Sequence, residues 1–377
     1  MKVTANRGAA LEALQLAAAV VGGARSDLAV RQDIRIEADG SELRLAATDY
    51  EISLHNAVAA KVSKKGALVV PVARMVNILK ESDDEEVEFS SDGPHLKIRL
   101  PGANYTINGA GPDDYPEVPD PSPDGGPVVD AAALRAMIRR VQYAAAAERS
   151  RYTLNGVRWE AARSHAKGGL RLVATDGRRL AMDELCAEKK VKKIKTGIVP
   201  LKAMSVLEKV LAGAADEAKV TANVVDNRVV VGVGVVRFSA LLLEGNYPEY
   251  ESVIRDPGED VAEIDGPALL KAVRQAAVVS DDQSRAVRMT IEGGVTTLSS
   301  RSAGDGGGKA EVLVGGLDWS GGKKSVTVAF DQTFLADALK AVGSGKATLD
   351  VVSASASAVL RSGESHVNVI MPITEPD

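Results

Sequence analysis

Apolar residues recur at helical spacing in three separated stretches, residues 8–21, 132–147 and 268–280. Each follows a short apolar strand, reading MKVTA, PVVDA and AEIDG in turn. In the second stretch Leu134, Ile138, Val141 and Ala145 fall on one face of the expected helix, and Arg135 and Arg139 share another. A second strand–helix unit follows each time, at 67–82, 197–211 and 327–343. Each pass then closes on alternating apolar and polar residues, with tips such as Asp92-Gly93 and Ser362-Gly363 that read as hairpins. Pro71, Pro200 and Phe330 mark corresponding places in the second unit, a spacing of about 130 residues and far beyond the roughly 20–50 of a solenoid repeat. The pattern predicts three similar α+β domains at 1–120, 127–254 and 260–377, each with two helices against antiparallel sheet.

Two extended linkers separate the passes. Residues 119–127 carry Pro119, Pro121, Pro123 and Pro127, and residues 255–260 read RDPGED. Each follows a related phrase, DYPEV at 114–118 and NYPEY at 246–250. Within the repeats one hairpin stands out, LVATDGRRLA at 172–181, with a near copy LAATDYEISL at 45–54. Thr-Asp-Gly is good turn chemistry, because Asp bonds its own backbone and Gly accepts positive φ. A lone turn of this kind is ordinary surface structure. Repetition makes the shared part architecture, and the unshared part, 177–180 against 50–53, a candidate for function.

Composition narrows the function classes. Aromatic residues make up only 3% of the chain, so its cores must be aliphatic. No run approaches the roughly 18 apolar residues of a membrane span, and the first residues lack the apolar segment of a signal peptide, so a cytoplasmic protein is expected. Cys186 is the only cysteine, and His55, His95, His165 and His366 are scattered without ligand spacing, so no metal site is expected. The stretch GSGKA at 343–347 echoes a phosphate loop but lacks the leading Gly, has Ala at the magnesium-binding position and follows a helix. No catalytic residues and no cofactor are expected, and the chain reads as a non-enzyme. The net charge of −5 excludes a uniformly basic nucleic-acid binder and leaves only local basic faces.

Four motifs in this order, RYTLNG at 151–156, VATDGRRLA at 173–181, GNYPEYESVI at 245–254 and VIMP at 369–372, together with the threefold α+β pattern, resemble the bacterial DNA sliding clamp, the β subunit of DNA polymerase III, over nearly the whole chain. The resemblance implies the DNA clamp fold: a head-to-tail homodimer closing a six-domain ring, helices inside and sheets outside. It implies a processivity factor that encircles duplex DNA without sequence preference and tethers the polymerase. It also implies recruitment of the polymerase subunit, clamp loader and repair proteins through short apolar peptides.

Carried over position by position, the peptide groove is Leu154, Thr175, Gly177, Arg179, Leu180, Pro248, Val253, Phe334, Val369, Met371, Pro372 and Ile373, with Arg179 suited to a carbonyl or carboxylate. Resemblance also gives Arg25, Arg151, Tyr152 and Lys202 as DNA contacts. The candidate lining helices add Arg74, Lys80, Arg135, Arg139, Lys209, Lys271 and Arg274. The dimer seam would use Arg74, Tyr105 and Ile107 from one edge and Val278 and Val279 from the other. Departures from the family are the small Ser252 and Ser284 at the groove edge and the acidic ending Glu375-Pro376-Asp377. They leave an alternative: a specialised second clamp copy that resists a clamp-binding inhibitor.

Overall fold

A computed structural model describes residues 1–21, 32–147, 152–191, 194–258, 261–280, 285–292, 294–302, 307–315, 317–320 and 325–373. Six helices are present among them: α1 (Arg7–Val21), α2 (Val72–Lys80), α3 (Ala131–Val141), α4 (Leu201–Ala212), α5 (Gly266–Ala277) and α6 (Gln332–Val342). Strands outnumber helices throughout.

The first helix of each pass starts in the same way. Asn6, Asp130 and Asp265 each accept a hydrogen bond from a backbone N–H three residues on, at 3.0, 3.0 and 2.9 Å. A short polar side chain there satisfies a donor that the first turn would otherwise leave bare. The second helices start after Pro71, Pro200 and Asp331, so the third-pass counterpart of the two prolines is Asp331 and not its neighbour Phe330. Asp331 caps with its carboxylate, accepting from the N–H groups of Thr333 (2.7 Å) and Phe334 (3.3 Å).

α3 is shorter than its apolar stripe suggests. It stops at Val141 and gives way to a 3₁₀ turn, Gln142–Ala144. The chain is then held from outside, because Ala146 N–H donates to the Leu154 carbonyl (2.9 Å) and the Asn155 amide donates to the Ala146 carbonyl (2.7 Å). These tertiary bonds override the helical periodicity of the alanine run.

The chain forms two compact units, one of residues 1–135 with 187–242 and one of 136–186 with 243–377. In the first unit a sheet begins at the edge strand Ala103–Asn108 and passes through Lys2–Asn6 to Ile52–Lys64. There it continues directly into Val236–Leu241 of the middle pass, with Ser53 opposite Ser239. The second unit repeats this arrangement: Arg179–Cys186 pairs antiparallel with His366–Ile370, placing Leu180 opposite Val369. A separate four-stranded sheet in that unit ends at the edge strand Lys309–Val314. α5 and α6 pack with this sheet and the strands around it over a core that includes Leu269, Val273, Phe330, Leu335 and Leu349. Among the described residues no helix is long and apolar enough to cross a membrane.

Candidate partner-binding site

The turn at 175–179 is built from its own side chains. Thr175 Oγ1 donates to the Arg179 carbonyl (2.6 Å) and accepts from Gly177 N–H (3.1 Å). Asp176 Oδ1 accepts from the N–H groups of Arg178 (2.9 Å) and Arg179 (3.0 Å). Gly177 has φ of 89°, which a side chain adopts only at a cost. Met371 N–H donates to the Arg178 carbonyl (2.9 Å), extending the strand pairing past His366–Ile370 and setting Met371 over the turn.

Beneath the turn is an apolar cluster of Val173, Leu180, Tyr250, Val359, Val367 and Val369. Alternation along His366–Ile370 explains it, since Val367 and Val369 share one face while His366, Asn368 and Ile370 share the other. A cleft of about 150 Å³ opens onto this cluster, lined by Thr175, Gly177, Arg178, Arg179, Leu180, Pro248, Glu249, Tyr250, Val253, Val369 and Met371. Val253 and Met371 are 42% and 43% exposed, unusual for large apolar side chains, and they form its rim. A small apolar cleft with a few fixed polar groups suits an apolar side chain of a bound peptide.

Arg179 closes one end. Its Nε donates to Asp176 Oδ2 and its Nη1 to Asp337 Oδ2, both at 3.0 Å. Its guanidinium lies 4.5 Å from the ring centre of Phe334 and 5.4 Å from that of Tyr143. Two carboxylates therefore engage the group expected to hold a peptide carbonyl or carboxylate. Phe334 supports Arg179 and does not line the cleft. Leu154, Pro372 and Ile373 are half-buried and also lie off its lining, Ile373 N–H donating to the Ala329 carbonyl (2.8 Å).

On the other face of the strand a chain of polar groups runs from half-buried Tyr143 to buried Asn368 and His366. The Tyr143 hydroxyl donates to Asn368 Oδ1 (2.6 Å), and the Asn368 amide meets His366 Nε2 at 3.0 Å. Burial pushes the His366 imidazole down to about 4, so it is neutral at pH 7 and accepts this bond. Burial likewise raises the Tyr143 hydroxyl well above the usual tyrosine range. Sequence reasoning missed Tyr143, Asp337, Asn368 and Tyr250. Only Asn368, a lone amide inside the apolar run HVNVIMP, and the closing Tyr of NYPEY carried any signal.

The expected DNA-facing residues divide into groups. Arg74 and Lys80 on α2, Lys209 on α4, and Lys271 and Arg274 on α5 are exposed, and no carboxylate pairs with them among the described residues. Arg139 on α3 is also exposed. Lys202 is tied to Asp49, and Arg135 lies 3.8 Å from Glu208. Arg25 and Arg151 lie outside the described residues, as does the side chain of Tyr152. At the expected seam, Tyr105 is 38% and Val278 79% exposed, Val279 is half-buried, and Ile107 is 3% exposed and packed inward. Among the described residues no group of His, Cys, Asp and Glu could hold a metal ion.

Sequence profiles of the DNA polymerase III beta subunit match the chain from end to end: the N-terminal domain at 1–119, the central domain at 128–249 and the C-terminal domain at 251–374. The chain belongs to this family. The three-domain sliding-clamp fold, α+β with mostly strands, is therefore its fold. The beta sliding clamp of Pseudomonas aeruginosa is 26% identical over 378 residues, covering 99% of this chain and 100% of the relative. That of Caulobacter vibrioides is 27% identical over 340 residues, 89% of each. A crystal structure of the Pseudomonas aeruginosa beta subunit superimposes with a TM-score of 0.87 at 25% identity, covering 99% of this chain and 100% of that one. Another, of the Pseudomonas aeruginosa clamp bound to griselimycin, gives 0.89 at 25% identity and covers both chains fully. Beta sliding clamps are non-catalytic subunits of the replication machinery, and this chain is one of that kind.

Proposed function

We propose that two copies of this chain join head to tail into a closed ring of six domains, helices inside and sheets outside, that encircles duplex DNA in the cytoplasm and tethers the replicative polymerase. The domains would run at 1–120, 127–254 and 260–377. The clamp loader, polymerase and repair proteins would dock through short apolar peptides in the cleft beside Leu180. The observation that carries this reading is the cleft itself, an exposed apolar site at the one turn whose sequence departs from its first-pass copy.

Two features support closure. Ala103–Asn108 and Lys309–Val314 are both sheet edges, and each offers an exposed apolar side chain, Tyr105 in one and Leu313, 72% exposed, in the other. Pairing them across two chains would satisfy edge hydrogen bonds, and a twofold axis would leave no growing end. Exposed basic side chains on α2, α4 and α5 supply sequence-independent attraction for phosphate in an otherwise acidic chain. Loading onto nicked circular and linear DNA tests the ring: the protein should persist on circles and slide off linear molecules. Equal retention would refute encirclement. Val279→Asp should weaken the dimer, and sedimentation that still finds a dimer at low concentration would count against that seam.

A second reading, a specialised inhibitor-resistant copy, draws on small Ser252 beside the rim residue Val253; Ser284, the other small residue it invokes, lies outside the described residues. Griselimycin and peptide affinities measured beside the Pseudomonas aeruginosa clamp decide it, since equal affinities leave nothing to specialise.

A further inference from the structure

Behind the wall of the groove stands a row of charge that no docked peptide would touch. Glu160, Arg171 and Glu184 lie directly opposite one another on three neighbouring strands. All three are buried, and Arg171 is paired with Glu184 through Nε and lies 3.5 Å from Glu160 through Nη1. Glu160 also takes Arg158 Nε on its other oxygen (2.8 Å). Glu184 is completed by the hydroxyl and N–H of Ser164 and the N–H of Arg163. Buried charges persist only when bonded this fully.

The row reaches out of the sheet at two neighbouring residues: Arg171 Nη1 lies 3.8 Å from Glu251 Oε1, and Tyr250 makes the closer contact. The Tyr250 hydroxyl donates to Glu160 Oε1 and accepts from Arg171 Nη1 (3.1 Å). Tyr250 is 4% exposed, and the Arg158 guanidinium lies 5.7 Å from its ring centre. The residue also opens a 3₁₀ turn, Glu251–Val253, where Val253 N–H donates to its carbonyl (3.2 Å). Pro248, two positions before it, and Val253, three after, form one wall of the cleft. Fixing this ring helps hold both, beside Tyr247, whose hydroxyl donates to the Val173 carbonyl (3.2 Å). In the first-pass phrase DYPEV the same place holds Val118, which has no hydroxyl to be held.

We propose that the Glu160–Arg171–Glu184 row, acting through the Tyr250 hydroxyl, is the positioning site of the peptide groove: it holds Pro248 and Val253 at the separation that admits an apolar peptide side chain. This rests on the groove reading above. A preorganised wall spares the peptide the cost of ordering it, so charges remote from the ligand set its affinity.

The test uses the full chain and a fluorescein-labelled pentapeptide ending in Leu-Phe, with affinity read by anisotropy. Tyr250→Phe keeps the ring and removes the hydroxyl. It should weaken binding about five- to tenfold and speed amide exchange at Val253 and Ile254 before peptide is added. Arg171→Lys keeps the charge, loses the planar fork and should weaken binding in the same direction. Tyr115→Phe is the control for lost stability alone. Its hydroxyl is also bonded on both sides, accepting from Thr48 N–H and donating to the Asp33 carbonyl, both at 3.1 Å, but it belongs to the other compact unit. It should lower thermal stability and leave peptide affinity unchanged. Wild-type affinity in Tyr250→Phe, or equal weakening in Tyr115→Phe, overturns the positioning role and leaves the groove standing. Failure of the wild-type chain to bind the peptide removes the groove, and the positioning site with it.

Discussion

The turns at 48–52 and 175–179 are the same object in two settings. Asp49 Oδ1 accepts from the N–H groups of Glu51 (3.1 Å) and Ile52 (2.7 Å), as Asp176 Oδ1 does from Arg178 and Arg179. Thr48 Oγ1 donates to the Ile52 carbonyl (2.8 Å) and accepts from Tyr50 N–H (3.0 Å), matching Thr175 bond for bond. Even the neighbouring strand arrives alike, Leu241 N–H donating to the Glu51 carbonyl at 2.9 Å where Met371 donates to Arg178 at 2.9 Å. What differs is the pair across the strands. At the first turn it is Ser53 opposite Ser239, and at the second Leu180 opposite Val369. The serines are bridged by Arg228, whose Nε donates to Ser239 Oγ (3.1 Å) and Nη2 to Ser53 Oγ (3.2 Å) and the Glu51 carbonyl (3.2 Å). Polar groups bonded to a filling guanidinium offer an apolar ligand nothing. The same backbone with Leu and Val leaves an apolar cleft. The Thr-Asp turn is thus shared architecture, and one cross-strand pair separates a filled polar junction from an open apolar cleft.

Converting one setting into the other should have the largest effect. Leu180→Ser with Val369→Ser places the first-turn pair at the second turn without an arginine to bridge it. Both residues are at most 3% exposed, so each large-to-small change should cost about 2–4 kcal/mol of folding stability. Peptide affinity should fall at least about tenfold. Denaturant unfolding and anisotropy measure the two, and retained peptide affinity would break the link between pair and function.

A second difference lies on the opposite face of the same strands. By the pairing registers, Phe238 occupies the place of Asn368 and Val236 that of His366. Only the second junction therefore carries a buried imidazole. Its pKa is lowered in the folded chain, to about 4 from 6.5, so between those values the unfolded chain binds the extra proton. Its contribution to stability is complete above about pH 6.5 and declines as pH falls toward 4, by about 2–3 kcal/mol. Unfolding free energies measured across that range should show a shallower slope in His366→Val than in the native chain. Parallel slopes would mean that the junctions respond to acid alike.

How much of this was legible depended on sequence distance. The two turns and the strand alternation are local, so residues a few positions apart carried them. The repeat supplied the comparison that marked 177–180 as a candidate for function. The polar chain was illegible because Tyr143 and Asn368 are 225 positions apart, and the Tyr250 network because its partners lie 79 and 90 positions away. Nothing about an Arg at 171 or a Glu at 160 announces burial, since such residues are ordinarily exposed. Arg179 lines the cleft, and its engagement by Asp337 depends on α6 packing there, which no local pattern records.

The smallest effect concerns the third turn residue, where the copies differ under the same backbone demand. Tyr50 has φ of 75° and Gly177 of 89°, both in the left-handed region. Glycine adopts it freely, whereas a side chain there costs roughly 1–2 kcal/mol. Gly177→Ala should destabilise by about 1 kcal/mol, because alanine meets the strain that glycine avoids. Tyr50→Gly should stabilise by no more than about 0.5–1 kcal/mol, since relief of strain is partly offset by the greater freedom of glycine in the unfolded chain. Tyr50 is half exposed, so little packing is lost with it. Opposite signs in thermal unfolding would establish that the two turns impose one conformation and that tyrosine is strained in the first. Equal signs would mean that neighbours of the turn, and not its backbone, govern the choice.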